Sequence, residues 1–276
     1  MTPKAYIAQL AEAITRQEDL TDAEARDVLY ELALRIYALL LGQLPETRFE
    51  RYMMWPQLRR QIIPWLFQAN DVLAQLLFSR VTAMEALVLP TVEEMFLLQT
   101  GQLRPRPVTQ VLDETRIVGT RLSRLFTPAP VTGITPFVSQ LLQLLERSVI
   151  SQFFDDPTTA QIAQKVVGVR IRAGREVPVV TKGTVANAWR ERFRSITAAA
   201  LWAPVTPAAQ RAAEVAQDAG VVQQVQWRWN AVLDPKTCPR CRPLHGRVED
   251  TPSGFPEGAP PLHPLCRCVL IPELIR

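Results

Sequence analysis

Few of the features that announce a common function class are present in this chain. Its 276 residues include only two histidines and four cysteines, and aromatic residues make up 7%. No HExxH, GxSxG or phosphate-cradling glycine loop occurs, so zinc-protease, serine-hydrolase and P-loop chemistry lack their usual residues. No apolar run approaches the roughly 18 residues that a membrane-crossing helix needs. The longest candidate, around Ile36 to Leu41, meets Gly42 and then Pro45. The first residues, MTPKAYIAQLAEAITRQ, lack the charged-then-apolar layout of a secretory signal. The expectation is synthesis in a cytoplasm without membrane involvement. Thiols stay reduced there, and paired cysteines favour a metal over a disulfide.

Glycine is also scarce, 11 against 23 prolines, so the loops are stiff. What is abundant is Leu, Ala, Arg and Gln, the profile of a helix-rich globular protein. With 47% hydrophobic residues the chain can bury a core, in one or two domains. The net charge of +4 is uneven: residues 181–276 hold 12 Lys/Arg against 8 Asp/Glu, and residues 1–180 hold 19 of each. Contact of the C-terminal part with DNA or an acidic protein surface fits that bias, and so does an ordinary solvated face.

Amphipathic helices fill the first half. Thr2-Pro3 offers an N-cap and a first-turn proline ahead of Ile7, Leu10 and Ile14. Thr21 and Glu24 form a capping box before Val28, Leu32, Ile36 and Leu39, with Gly42 and Pro45 as terminators. Asp71 is a further cap, and a box from Thr91 to Glu94 precedes Met95, Phe96 and Leu98, with Gly101 after them. Thr135-Pro136 opens another helix through Leu145. Proline-rich breaks at 103–108 and 126–136 read as stiff connections.

The character changes near Asp155-Asp156-Pro157, where the chain divides into a helical region 1–150 and a second region 151–276. Thr158 and Gln161 box a short helix, and VRIRAGREV reads as a polar link into the β-prone 177–181. Helices follow from Thr184 and from Thr206-Pro207, then an extended stretch over 221–234. The fold class expected is mainly α, with a small α+β C-terminal module.

All four cysteines and both histidines fall between 238 and 268. The order is Cys238-x2-Cys241, twenty-one intervening residues, then His263-x2-Cys266-x-Cys268. A CxxC turn brings two sulfurs to one point while its amides donate toward them. Thiolate and imidazole are ligands that zinc prefers, and four complete a closed, structural site with no open position for catalysis. Cys238, Cys241, His263, Cys266 and Cys268 are five candidates for four places. The proline-rich loop between the two groups has few apolar residues, so its ends need fastening. Zinc or another metal, two disulfides, and reduced structural cysteines all remain open. His245 is a ligand, a general base or, as L-H-G favours, a turn residue with Gly246 supplying a positive φ. Asp234 reads as an Asx-type turn feeding the CxxC rather than a catalytic acid.

The string WNAVLDPKTCPRCRPLHGRV, closed by PPLHPLCRC, resembles the C-terminal signature of the phage Mu F-like head-morphogenesis family. In that family an aromatic-led strand ends in Asp before a Thr-Cys-x-x-Cys turn, a Leu-x-Gly step and a His-Pro-x-Cys-Arg-Cys close. Here Trp229, Asp234, Thr237, Leu244, Gly246 and the five candidate ligands occupy those places. The match is tight over 227–271 and looser from 157, where Lys182-Gly183-Thr184 stands in place of the family's Arg-Thr pair. The resemblance implies a non-enzymatic minor head protein of a tailed phage or prophage. It implies a portal protein as partner, with major capsid or scaffold protein, and phage DNA during packaging or ejection. It places the chain in the host cytoplasm during assembly and then in the virion, at the capsid interior or portal vertex. A zinc-stabilised nucleic-acid-binding module is the competing reading.

Overall fold

A computed structural model of the chain describes residues 3–100, 123–130, 133–155, 157–172, 175–218, 220–233, 237–263 and 265–275. For 3–7, 85, 89–100, 154, 169–172, 175, 176 and 215 it describes the backbone alone. The Thr2 cap, the Gly101 stop, the 103–108 break, part of the 126–136 break, Asp156 and the Asp234-Pro235 turn lie outside the described residues.

Two long helices come first, α1 (Pro3–Gln43) and α2 (Arg48–Thr100). Next are α3 (Pro136–Ile150), α4 (Thr159–Val166) and a hairpin of β1 (Gly168–Arg172) with β2 (Arg175–Val179). Then α5 (Val185–Trp202) and α6 (Val205–Asp218) lead into a three-stranded antiparallel sheet. Its order is β4-β3-β5, with β3 at Gln224–Ala231, β4 at Val248–Glu249 and β5 at Cys268–Ile275. The chain is mainly α with a small C-terminal sheet beside the cysteines, the class its composition and periodicity predict. Two compact units form. One gathers Met1–Thr21, Phe78–Leu122 and Arg194–Arg276; the other gathers Asp22–Leu77 and Ser123–Phe193.

Three of the expected helix starts are not starts. Thr21 sits inside α1, where its hydroxyl donates to the Gln17 carbonyl instead of capping. The backbone is helical from Arg48 through Thr100, so neither Asp71 nor Thr91 opens a helix. Packing explains the override. Leu58, Ile62, Leu66, Ala69, Leu73 and Leu77 keep one stripe in phase and buried, and that stripe outweighs local capping preference. It also outweighs Pro56 and Pro64, each of which removes one backbone donor from the helix interior.

In the second unit, Gln61 donates to Gln43 at 3.2 Å and Arg35 to Gln68 at 3.3 Å, the register of an antiparallel helix pair. Thr135 caps α3 as expected, accepting from the Val138 N–H at 3.0 Å. Its hydroxyl also donates to buried Asn70, and Trp189 donates its indole N–H to the Leu141 carbonyl. The Thr158–Gln161 capping box forms in full. The stretch read as a polar link, VRIRAGREV, is instead most of the β1–β2 hairpin. Its alternation of apolar and basic residues suits a two-stranded ribbon. Thr184 caps α5, and α6 begins one residue before Thr206.

In the first unit, β3 is shorter than the expected 221–234 but alternates cleanly: Val225, Trp227, Trp229 and Ala231 are buried. Trp229 exchanges backbone hydrogen bonds with the β4 side, so its partner Leu270 points its own N–H away from β3. That outward edge is closed off: the Leu270 N–H meets the Thr206 hydroxyl, and Pro272, two residues on, has no N–H to offer.

Candidate metal centre

The site is built where β3 ends and β5 begins. The CxxC turn closes by backbone hydrogen bonds from Cys241 and Arg242 to the Cys238 carbonyl. The Cys241 N–H also reaches the Cys238 sulfur at 3.3 Å, the amide-to-sulfur contact the spacing predicts. A short 3-10 turn, Arg242–Leu244, then turns the chain back toward β3. There His245 Nδ1 accepts the Ala231 N–H at 3.2 Å, and Gly246, at φ 85, donates to the Trp229 carbonyl. His245 is therefore a turn residue by contact, and it belongs to neither ligand group among the described residues.

The loop that the sequence left without a core does have a small one. Phe255 and Leu244 are buried, and the Phe255 ring meets Trp229 edge-on at 5.3 Å between centroids. The returning segment holds the one non-glycine residue with positive φ among those described, Leu265 at 62°. At that left-handed turn the Cys266 N–H donates to the His263 carbonyl at 3.1 Å, closing the short segment between the two donors. Nothing in the sequence flags Leu265, because the position carries none of the usual Gly or Asn.

The five candidate ligands fall into two overlapping groups. Cys238, Cys241 and His263 place their ligand atoms within 4.8 Å of one another, and so do Cys241, Cys266 and Cys268. Cys241, common to both groups, is buried. His263 Nε2 lies 2.9 Å from the Cys238 sulfur and 3.1 Å from the Cys241 sulfur. The Cys241 and Cys266 sulfurs are 3.9 Å apart, close to the edge of roughly 3.8 Å that a zinc–sulfur bond length implies for a tetrahedron. All four cysteines are free thiols here. A cavity of about 10 Å³ opens among Cys238, Cys241, His263 and Cys268, with Arg267 on its wall. That is room for one small ion and for no substrate.

The thiols hold their protons unequally. Burial pushes Cys238 up, but hydrogen bonds from the Cys241 thiol and the Cys241 and Arg240 amides, with the His263 charge, bring it below the ordinary value. Cys241 is pushed up to about 12 by burial and by the hydrogen bond it gives Cys238. The hydrogen bond from the Cys268 thiol draws Cys266 down to about 5 against its burial, helped by the Cys268 and Leu262 amides and by His263. Cys268 is raised correspondingly by that shared bond and by burial, while the Trp229 indole works the other way. Cys238 and Cys266 are thus both shifted toward the thiolate form before any cation arrives.

The opposite face of the sheet is different. A cavity of about 1330 Å³ lies between α1 and strands β3 and β5, its walls including Ala8, Ala11, Arg228, Leu233 and Glu273. Arg228 and Glu273, on the adjacent strands of its sheet wall, pair with each other. None of the cysteines lines this cavity, so it and the cysteine cluster are separate.

The chain finds no match among curated proteins or solved structures. One family model does match, over a stretch that holds α5, α6, most of the sheet and every candidate ligand. Residues 179–271 match the family described as phage Mu protein F like protein, the family whose signature the sequence resembles.

Proposed function

We propose that this chain is a minor head protein of a tailed phage or prophage. It acts without catalysis in capsid assembly by binding the portal protein, with major capsid or scaffold protein as further contacts. The observation that carries this reading is the coincidence of the family match over 179–271 with the module that the cysteine–histidine cluster closes. The helical region 1–150 supplies the protein-docking surface, and the fastened C-terminal region a rigid, slightly basic one. The chain is made in the host cytoplasm and ends in the virion, at the capsid interior or the portal vertex. No helix among the described residues is long and apolar enough to cross a membrane.

A zinc ion held by the cluster is the structural part of the proposal. Three lines favour it: mixed thiolate and imidazole donors, a space of one ion's size, and two thiols already drawn toward the thiolate form. Bound there, zinc fastens the 242–262 loop. A non-catalytic role fits a cavity too small for substrate. Contact with phage DNA during packaging or ejection is a second reading, favoured by Arg240 and Arg242, exposed on either side of Cys241.

Mass spectrometry of intact virions, with portal pull-down from procapsids, tests the main reading. Presence in the particle and copurification with portal are expected. A particle complete without the chain would overturn it. Salt-sensitive DNA binding by portal-free protein, lost on chelation, would favour the nucleic-acid reading instead.

A further inference from the structure

Basic charge is concentrated on and beside the two-stranded sheet. Residues 165–182 hold Lys165, Arg170, Arg172, Arg175 and Lys182 against Glu176 alone, five cations to one anion. That local excess equals the net +4 of the whole chain. The β1–β2 hairpin carries the centre of the run. Arg172 stands opposite Arg175 in the register and Arg170 opposite Val177, so the three arginines share one face of the ribbon. Val169 and Ile171 share the other, across from Pro178 and Glu176. Like charges directly opposite one another weaken a strand pair, and a two-stranded ribbon is marginal by itself.

The two edges of this ribbon differ. Pro178 has no N–H to give the ladder, and its carbonyl accepts the Tyr30 hydroxyl at 2.6 Å. The pair of Val169 with Pro178 is therefore a non-hydrogen-bonded one, and by alternation so is Ile171 with Glu176. The N–H and C=O groups of Val169 and Ile171 thus face away from β2, along an edge that no further strand covers among the described residues. Other edges are closed: β2 by Pro178 and Tyr30, β5 by Thr206 and Pro272, while β4 is two residues long. Among the described strands, β1 is left to pair.

We infer that β1 receives an extended acidic segment of a partner protein, which adds to the ribbon as a third strand. The backbone of that segment pairs with Val169 and Ile171. Its Asp or Glu residues, at every second position, take the face of Arg170 and Arg172, and apolar residues between them take the face of Val169 and Ile171. Charge decides against a second copy of this hairpin, whose arginines would meet their own kind. Duplex DNA would answer the charge but leave the strand edge unused. The inference depends on neither the metal nor the portal reading, since the hairpin and the cysteines belong to different units.

The probe is a fluorescein-labelled peptide of four Glu-Val repeats, titrated with the full chain and read by fluorescence polarisation. Saturable binding is expected, weaker at higher salt. Arg170→Glu with Arg172→Glu is expected to weaken it about 10-fold or more, the effect of setting like charges together. Two N-methylated versions test the backbone on the unaltered protein, one methylated at every Glu and the other at every Val. Alternate N–H groups of an added strand face β1, so one version is expected to bind about 10-fold or more weakly and the other to keep its affinity. Equal binding by the two versions, or none by the parent peptide, overturns the inference. A short DNA duplex that binds more tightly than the peptide, and is lost in the double variant, makes the ribbon a phosphate surface and overturns it as well.

Discussion

On the proposed metal reading, chelation is expected to free the 242–262 loop while the helices of the other unit stay as they were. The magnitude follows from the chain that the site closes. Joining Cys238 to Cys268 encloses roughly 30 residues, which on the loop-entropy expression is worth about 3.5 kcal/mol. Mass action gives a similar figure: a metal held at a thousandfold its dissociation constant stabilises the folded form by about 4 kcal/mol. The loop's own packing is of the same order. Phe255 and Leu244 together contribute about 3–6 kcal/mol of burial. Losing the ion therefore removes a large share of what holds the loop.

Hydrogen exchange read by mass spectrometry measures this directly. Three amides report on the loop: Gly246 to the Trp229 carbonyl, Gly254 to Thr251, and Gly258 to Phe255. A loss of 3.5 kcal/mol corresponds to exchange about 300-fold faster at these positions. Peptides covering α3 and α4 serve as the internal control, because their contacts lie in the other unit. Loop amides that exchange at the same rate, within about threefold, with and without chelator would refute the reasoning. The loop would then stand on Trp229, Phe255 and Leu244 alone.

Thr135→Ala is expected to cost about 2–3 kcal/mol in urea denaturation, because it removes a cap and leaves a buried Asn70 oxygen without its donor; Thr135→Ser should recover most of it. Leu265→Val should destabilise by about 1–2 kcal/mol, since a β-branched residue tolerates φ 62 poorly, whereas Leu265→Gly should be near neutral in the same melts. The metal-free chain should be most stable near the ordinary thiol value. From Cys266 at about 5 up to that value the unfolded chain binds more protons, so stability rises with pH; above it the raised Cys268 and Cys241 retain protons that the unfolded chain has lost, and stability falls. Thermal melts in chelator across pH 5 to 10 check this, and a profile flat over that range would contradict it.

What could be read from the sequence divides by range. Signals complete within four residues hold: the Thr158–Gln161 box and the Thr135-Pro136 start appear with the bonds they imply. The same kind of signal at Thr21–Glu24 and Thr91–Glu94 does not: the backbone is helical through both, and at Thr21 the buried stripe of Leu10, Ile14, Ala25 and Leu29 runs past the cap. A cap costs little to forgo when the alternative is burying the next turn of leucines. The β1–β2 hairpin hides for the opposite reason. Its strands alternate with arginine and glutamate, so they look like a linker until the partner strand is in place.

At the cysteine cluster the sequence carried identity but not selection. Spacing alone brings two thiols to one turn and three donors to one short segment, so a meeting of the two segments was legible. Choosing four needs distances that exist only in three dimensions, such as which donors share a group with Cys241. Trp229 illustrates the gap. In the sequence it is a strand residue with an aromatic's usual claim to the core, and in the fold it is that. Yet its indole nitrogen is buried without a hydrogen-bond partner, so its packing and its electrostatics pull in different directions. Replacing it by phenylalanine separates them: the ring contact with Phe255 survives, the unmatched donor does not, and thermal melts read which of the two counts for more.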